Sequence, residues 1–229
     1  MIRTTKFTLF GLFLAAGLFM GCKDSDNPAE PTQPGLANVM VIHASPDAPG
    51  VDVSVDGAVA LTNVTFPQNS SYLAVNAGTR NVVVNVTGGG PTVIAAPLPV
   101  LAGMNYSVFA IDSVANLTPF VLLDTLTTPA AGKAHVRFIH LSPNAPAVDV
   151  AVTGGPVLFA DYAFAENSSF TPVDAGTYNL EVRLAGTSNV VLPLPGITLT
   201  AGKIYTVWAS GSVGGAGAQA LSAQIITNN

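Results

Sequence analysis

The chain has 229 residues, of which 49% are hydrophobic and only 9% charged, against about 25% charged in an ordinary soluble domain. Eight Lys plus Arg, 13 Asp plus Glu and a formal net charge of −5 exclude the basic footprint of a nucleic-acid binder. A single Cys excludes a disulfide scaffold, and high hydrophobicity with few charges excludes a disordered chain.

Arg3 and Lys6 form a short basic region, and residues 7–20 are almost all apolar. That run is shorter than the ~20 residues of a membrane-spanning helix and suits the hydrophobic part of a signal peptide. It ends in Leu18-Phe19-Met20-Gly21-Cys22, which resembles a bacterial lipobox, although Phe19 and Met20 depart from the commoner Leu-Ala or Leu-Ser. The resemblance implies a lipoprotein signal peptide over 1–21, cleavage before Cys22, and lipid on its thiol and new amino group. A plain secretory signal or an unlipidated Cys is the alternative. Each buried methylene adds ~0.8 kcal/mol, so several acyl chains hold a protein to a bilayer almost permanently.

Residues 22–36 then form a tether. Lys23-Asp24-Ser25-Asp26 resembles the surface-export signals of Bacteroidetes lipoproteins, or is simply a solvated acidic stretch. Pro28, Pro31 and Pro34 stiffen the rest, which would reach ~40 Å in polyproline II geometry. The expected location is the cell envelope, lipid-anchored, at the outer rather than the inner membrane.

The remainder is a duplication. Val-Met-Val-Ile-His-Ala-Ser-Pro-Asp-Ala-Pro-Gly-Val-Asp-Val at 39–53 returns as Val-Arg-Phe-Ile-His-Leu-Ser-Pro-Asn-Ala-Pro-Ala-Val-Asp-Val at 136–150. Residues 66–72, 76–79 and 102–106 likewise match 164–170, 174–177 and 201–205. A period near a hundred fits two whole domains, which sets modules at 37–125 and 134–229 with a linker at 126–133. Residues 51–56 and 148–153 alternate apolar and polar, as half-buried strands do. Asp56-Gly57, Ala77-Gly78 and Ala102-Gly103 mark turns, and no long stretch has the 3.6-residue period. The predicted fold is all-β, with two tandem antiparallel β-sandwich (immunoglobulin-like) domains.

The opening motif, the Ala-Gly-Thr-Tyr-Asn-Leu-Glu-Val stretch at 175–182 and the Ala-Gly-Lys-Ile-Tyr-Thr-Val-Trp-Ala stretch at 201–209 resemble the domain of unknown function 4397 family. The resemblance covers nearly all of 37–226, once per module, with Asn144 departing from Asp47. It implies an exported bacterial β-domain and brings no catalytic residues.

His43, Pro46, Asp47 and Asp52 recur as His140, Pro143, Asn144 and Asp149. A metal or acid/base site would need three or four converging ligands, more than each copy offers. A structural motif is expected instead, with each His bonded to nearby backbone and Asp47 or Asn144 serving the turn after Pro. No hydrolase motif or cofactor motif is present, and Cys22 is taken by the lipobox.

Phe109 and Trp208 fall on the strand face opposite Tyr106 and Tyr205. They are the candidate ligand-binding pair if exposed, able to stack on a sugar ring, and otherwise belong under a loop or between the domains. Asp112-Ser113-Val114 and Asp124-Thr125-Leu126 resemble Bacteroidetes O-glycosylation sites, or are ordinary strand-edge residues. The function expected is a non-catalytic, membrane-anchored binding or presentation module for surface protein or glycan. The alternatives are a structural spacer and, third, an uncharacterised hydrolase.

Overall fold

Each copy of the repeat folds into eight strands. In the computed structural model, which describes residues 35–229, the first module comprises β1 (Leu36–His43), β2 (Val51–Val55), β3 (Ala58–Val64), β4 (Leu73–Asn76), β5 (Gly78–Val86), β6 (Thr92–Val100), β7 (Asn105–Ile111) and β8 (Thr118–Leu123). The second comprises β9 (Lys133–His140), β10 (Val148–Val152), β11 (Val157–Tyr162), β12 (Thr171–Asp174), β13 (Gly176–Leu184), β14 (Val190–Leu199), β15 (Ile204–Ser210) and β16 (Ser222–Thr227). The signal peptide and Cys22 lie outside the described residues. Among those residues, no helix is long and apolar enough to cross a membrane.

The first sandwich pairs a β4-β1-β7-β8 sheet with a β3-β2-β5-β6 sheet. The second repeats this as β12-β9-β15-β16 over β11-β10-β13-β14. Pairing is antiparallel as the sequence predicts, with one refinement per module: β1 runs parallel to β7, and β9 to β15. The register is shared, since His43 faces Ala110 as His140 faces Ala209.

Strand alternation fills each sandwich. Val39, Val100 and Tyr106 pack between the sheets of the first module, and Val136, Phe138, Val150 and Phe159 do so in the second. Where the second core stacks Phe138 on Phe159 at 6.0 Å between centroids, the first has Val41 and Leu61. The smaller side chains leave an apolar cavity of about 60 Å3 in the first core, against about 20 Å3 in the second.

The outer faces of the β1 and β9 sheets are also apolar, and they pack on each other. Met40, Ile42, Phe109, Ile139, Leu141, Trp208 and Ile226 form one buried cluster between the modules. Phe109 and Trp208 are 0% exposed, with ring centroids 6.3 Å apart in an edge-to-face contact. This corrects the reading of that pair as a ligand platform. Their faces are consumed by the other module, so no ring is open to a sugar.

Within this apolar interface lies one buried polar network. Arg137 Nη1 is 2.7 Å from Asp124 Oδ1, with the two side chains 3% and 0% exposed. Arg137 also donates to Thr206 Oγ1 and Ser107 Oγ, and its guanidinium lies 4.6 Å from the Phe170 ring centroid. Tyr72 and Ser107 donate to Asp124 Oδ2 at 2.5 and 2.6 Å, and Asn228 Nδ2 donates to the Tyr72 hydroxyl. Burial raises the Tyr72 pKa well above the ordinary phenol value, and the Asp124 carboxylate adds to this, so Tyr72 stays a donor. Burial also lowers the Arg137 pKa, against the pull of Asp124, but a guanidinium keeps its charge.

The network is the duplication with its symmetry broken. Ser107 bonds Asp124 as Thr206 bonds Asn228, and Met40 sits beside Ser107 as Arg137 sits beside Thr206. One copy thus supplies Met and Asp, the other Arg and Asn. The contacts join equal levels of β7 and β15. Tyr72 links Asp124 and Asn228, whose amides bond Asn105 and Ile204, while Arg137 reaches Ser107 and Thr206, and Phe109 meets Trp208. The two strands therefore run the same way, and both modules present the same ends together. The base is where β1 and β9 begin, and the tip is where they end.

Breaking a buried ion pair leaves a charge stranded, whereas removing both charges does not. Arg137→Met or Asp124→Asn alone should each cost about 3–5 kcal/mol in urea unfolding of residues 36–229. The double variant gives both modules the same Met and Asn, and should recover most of that loss.

Candidate functional site at the tip of the second module

The repeated His motif builds the tip of each sandwich. His43 Nε2 donates to Pro49 O and His140 Nε2 to Pro146 O, both at 3.0 Å, holding the Ser-Pro loop over the sheet ends. Both imidazoles are buried, and desolvation pushes both pKa values below the ordinary 6.5. Each ring is therefore neutral, and Nδ1 is left as an acceptor with no partner.

Asp52 and Asp149 close the next bend. Asp52 Oδ1 accepts from Asn63 N and Thr87 Oγ1, and Asp149 accepts from Asp161 N and Gly186 N. Asn63 and Asp161 have φ of 51° and 59°, a left-handed backbone at the register shifts of β3 and β11. The carboxylates satisfy the amides those shifts expose. The bonds from Asn63 and then Thr87 hold the Asp52 pKa below its ordinary value. Pro46 and Pro143 sit in the loops these contacts fix. Among the described residues, no three His, Cys, Asp or Glu side chains converge.

Asp47 and Asn144 are where the copies diverge. Asp47 Oδ1 accepts Val114 N and takes the Ser45 hydroxyl at 3.4 Å. Asn144 Oδ1 accepts the equivalent Val213 N at 2.8 Å, but its amide also donates to Val213 O at 3.0 Å, a bond Asp cannot make. Asn144 thus clamps the loop at 211–221, which is longer than its counterpart at 112–117. That loop is Gly-Ser-Val-Gly-Gly-Ala-Gly-Ala-Gln-Ala-Leu, and a Cβ on Gly211 would lie 2.1 Å from Ala220 O. Only Gly permits this fold-back.

Behind the clamped loop is a pocket of about 290 Å3. Its walls include Val148, Val182, Leu184, Leu192, Val213 and Leu221, and His140 and Ser142 form part of its lining. His140 and Ser142 are 0% and 1% exposed, and His140 Nδ1 and Ser142 Oγ have no partner. In the first module Val93 and Leu117 pack against the equivalent core, and Ser45 is occupied by Asp47. The sequence reading missed this pocket. Its signals were the Gly-rich insertion and the change from Asp47 to Asn144.

A second hollow of about 380 Å3 runs beside the module interface, lined by Thr125, Thr127, His135, Arg137 and Phe170. Its charge is already committed, since Arg137 pairs with Asp124 and covers the Phe170 ring. Thr125 is exposed at its edge, while Asp124 is buried in the network.

The family model for Domain of unknown function (DUF4397) matches residues 37–151, the whole first module and the opening of the second. The chain belongs to the DUF4397 family. No curated protein matches the chain. Among solved structures, the crystal structure of CBMbc (family CBM26) from Eubacterium rectale Amy13K in complex with maltoheptaose is similar at 10% identity with a TM-score of 0.27. That match covers 82% of this chain and 96% of that one.

Because both His pKa values are depressed on folding, the unfolded chain binds protons more readily near pH 6.5. The stability they contribute is present above that pH and lost as the pH falls toward their folded values. His43→Gln with His140→Gln keeps a donor near the Nε2 position and removes the titration. Thermal melts from pH 7.5 to 5 should show the wild type losing stability and the double variant nearly flat over the same interval.

Proposed function

We propose that this DUF4397 protein is a non-catalytic, lipid-anchored envelope protein that binds a surface protein through the pocket at the tip of its second module. The observation that carries the reading is the asymmetry of the duplication. One copy has a short loop over a cavity of about 60 Å3 that His43, Val51 and Val84 help to line. The other has a longer loop, an Asn clamp, an apolar pocket of about 290 Å3 and, besides the unpartnered His Nδ1 that both copies share, an unpartnered Ser142 Oγ. Ligand sites are mostly apolar with a few placed polar groups, and this pocket has that composition.

The chemistry narrows the occupant. The carbon-rich walls would leave the many hydroxyls of a sugar unpaired, at a cost of about 1–3 kcal/mol for each buried group. An aromatic side chain with one hydroxyl fits better. A tyrosine ring would lie against Val182, Leu192 and Val213, and its hydroxyl would donate to His140 Nδ1 and accept from Ser142 Oγ. The anchoring part of this reading is supported by the Gly21-Cys22 motif, and entry of the chain at the base would hold the tip away from the lipid.

A spacer is the second reading, and the buried interface favours it because a spacer needs a fixed angle between modules. It would present a uniformly polar exterior. Val191 and Val213, 38% and 48% exposed at the pocket mouth, depart from that pattern.

The probe is 4-ethylphenol, a tyrosine side-chain mimic, titrated into isotope-labelled residues 36–229 by NMR. Saturable shifts confined to the tip of the second module are expected, weakened at least about fivefold in Ser142→Ala and for ethylbenzene. An absence of shifts there at millimolar probe, or equal shifts at both tips, would refute the assignment.

A further inference from the structure

The duplication provides an internal comparison at the base as well. The backbone there is held alike in both modules. Gly103 N donates to Leu36 O as Gly202 N donates to Lys133 O, and Asn38 N donates to Met104 O as His135 N donates to Lys203 O. On this shared frame the first module exposes Leu36, Leu101 and Met104 at 54%, 68% and 43%. The second carries Lys133, Thr200 and Lys203 at those positions.

Charge divides along the same axis. Lys133 and Lys203 are the only lysines among the described residues. Lys133 Nζ lies 2.7 Å from Asp174, and Lys203 Nζ donates to Asn229 O at 3.1 Å. Arg80 pairs with Asp56 at the same end, where β5 begins. At the tip, Asp47, Asp52, Asp112, Asp149, Asp161 and Glu166 have no ion-pair partner among the described residues. Lys133, Lys203 and Arg80 lie at the base, Arg183 lies level with Asp149 toward the tip but is paired with Glu181, and the carboxylates without an ion pair gather at the tip.

The chain from the anchor enters at the base too. Gly35 O accepts Ala77 N at 2.8 Å, beside Leu36, and Cys22 lies upstream within a fully extended reach of about 45 Å. Exposed apolar groups, lysines and the tethered terminus therefore share one end of the body.

We infer that the base is a lipid-docking surface. Leu36, Leu101 and Met104 enter the headgroup region, and Lys133 and Lys203 lie level with the phosphates. The acidic tip, repelled by the same phosphates, faces away and carries the pocket outward. This inference rests on the anchoring part of the function proposed above, and its test supplies an anchor of its own.

Residues 23–229 contain no Cys, so one introduced thiol can carry an environment-sensitive fluorophore such as NBD. It is placed by Ala102→Cys at the base or by Ala218→Cys at the tip, both exposed positions. An N-terminal hexahistidine captures the protein on phosphatidylethanolamine–phosphatidylglycerol vesicles containing a nickel-chelating lipid. Capture should brighten the base label at least about threefold with a blue shift and leave the tip label unchanged. Leu101→Ser with Met104→Ser should cut the gain by more than half, with an unchanged melting temperature. A base label that stays solvent-like on capture, or two labels that respond equally, would overturn the inference. Metabolic palmitate labelling of Cys22 is read separately, so a failed anchor is distinguishable from a failed docking surface.

Discussion

The structure depends on a sheet that is buried on both faces. β1, β7, β9 and β15 each send alternate side chains into their own sandwich and the others into the neighbouring module. A strand in that position cannot alternate apolar and polar, and must read as a near-continuous apolar run. Toward the base of this doubly buried layer stands one ion pair, Arg137 with Asp124. Its Coulombic gain is offset by desolvation, so its contribution to net stability is small. What it supplies is register. A flat apolar face permits sliding, whereas a guanidinium that must meet one carboxylate and one hydroxyl of the other module permits one alignment.

That alignment sets the polarity of the body. Because β7 and β15 run the same way, the two tips lie together and the two bases lie together. The copies can then diverge in role without diverging in fold. At the tip, one copy keeps a short loop over a small cavity and the other gains a longer loop and a larger pocket. At the base, one copy becomes apolar and the other gains lysines. In the interface, Met and Asp face Arg and Asn. At the base and in the interface the backbone frame is retained and the side chains alone carry the difference, whereas at the tip the second copy also has a longer loop.

Much of this was legible in the sequence. Alternation in residues 51–56 and 148–153, with the Asp-Gly and Ala-Gly turns, marked a β-sandwich, and the repeated His-x-Ser-Pro motif marked two copies. The strand partners were less legible. Nothing local states that β1 lies beside β7, because that pairing is made by a chain that crosses between sheets. The burial of Phe109 and Trp208 was written in Val39-Met40-Val41-Ile42 and in 204–210, runs too apolar for a strand with a wet face. The pocket was hidden for another reason. It depends on the longer loop at 211–221 together with a one-atom change, the carboxylate of Asp47 against the carboxamide of Asn144, which matters only when the loop that the amide holds is in place.

If the modules are locked through this layer, they must unfold as one body. Amide hydrogen exchange on residues 36–229, followed by mass spectrometry under mild denaturant, reads each module independently. The account predicts that the buried amides of β1 and β9 open with the same free energy and the same denaturant slope. A first module that opens at lower denaturant than the second, with its own slope, would contradict it.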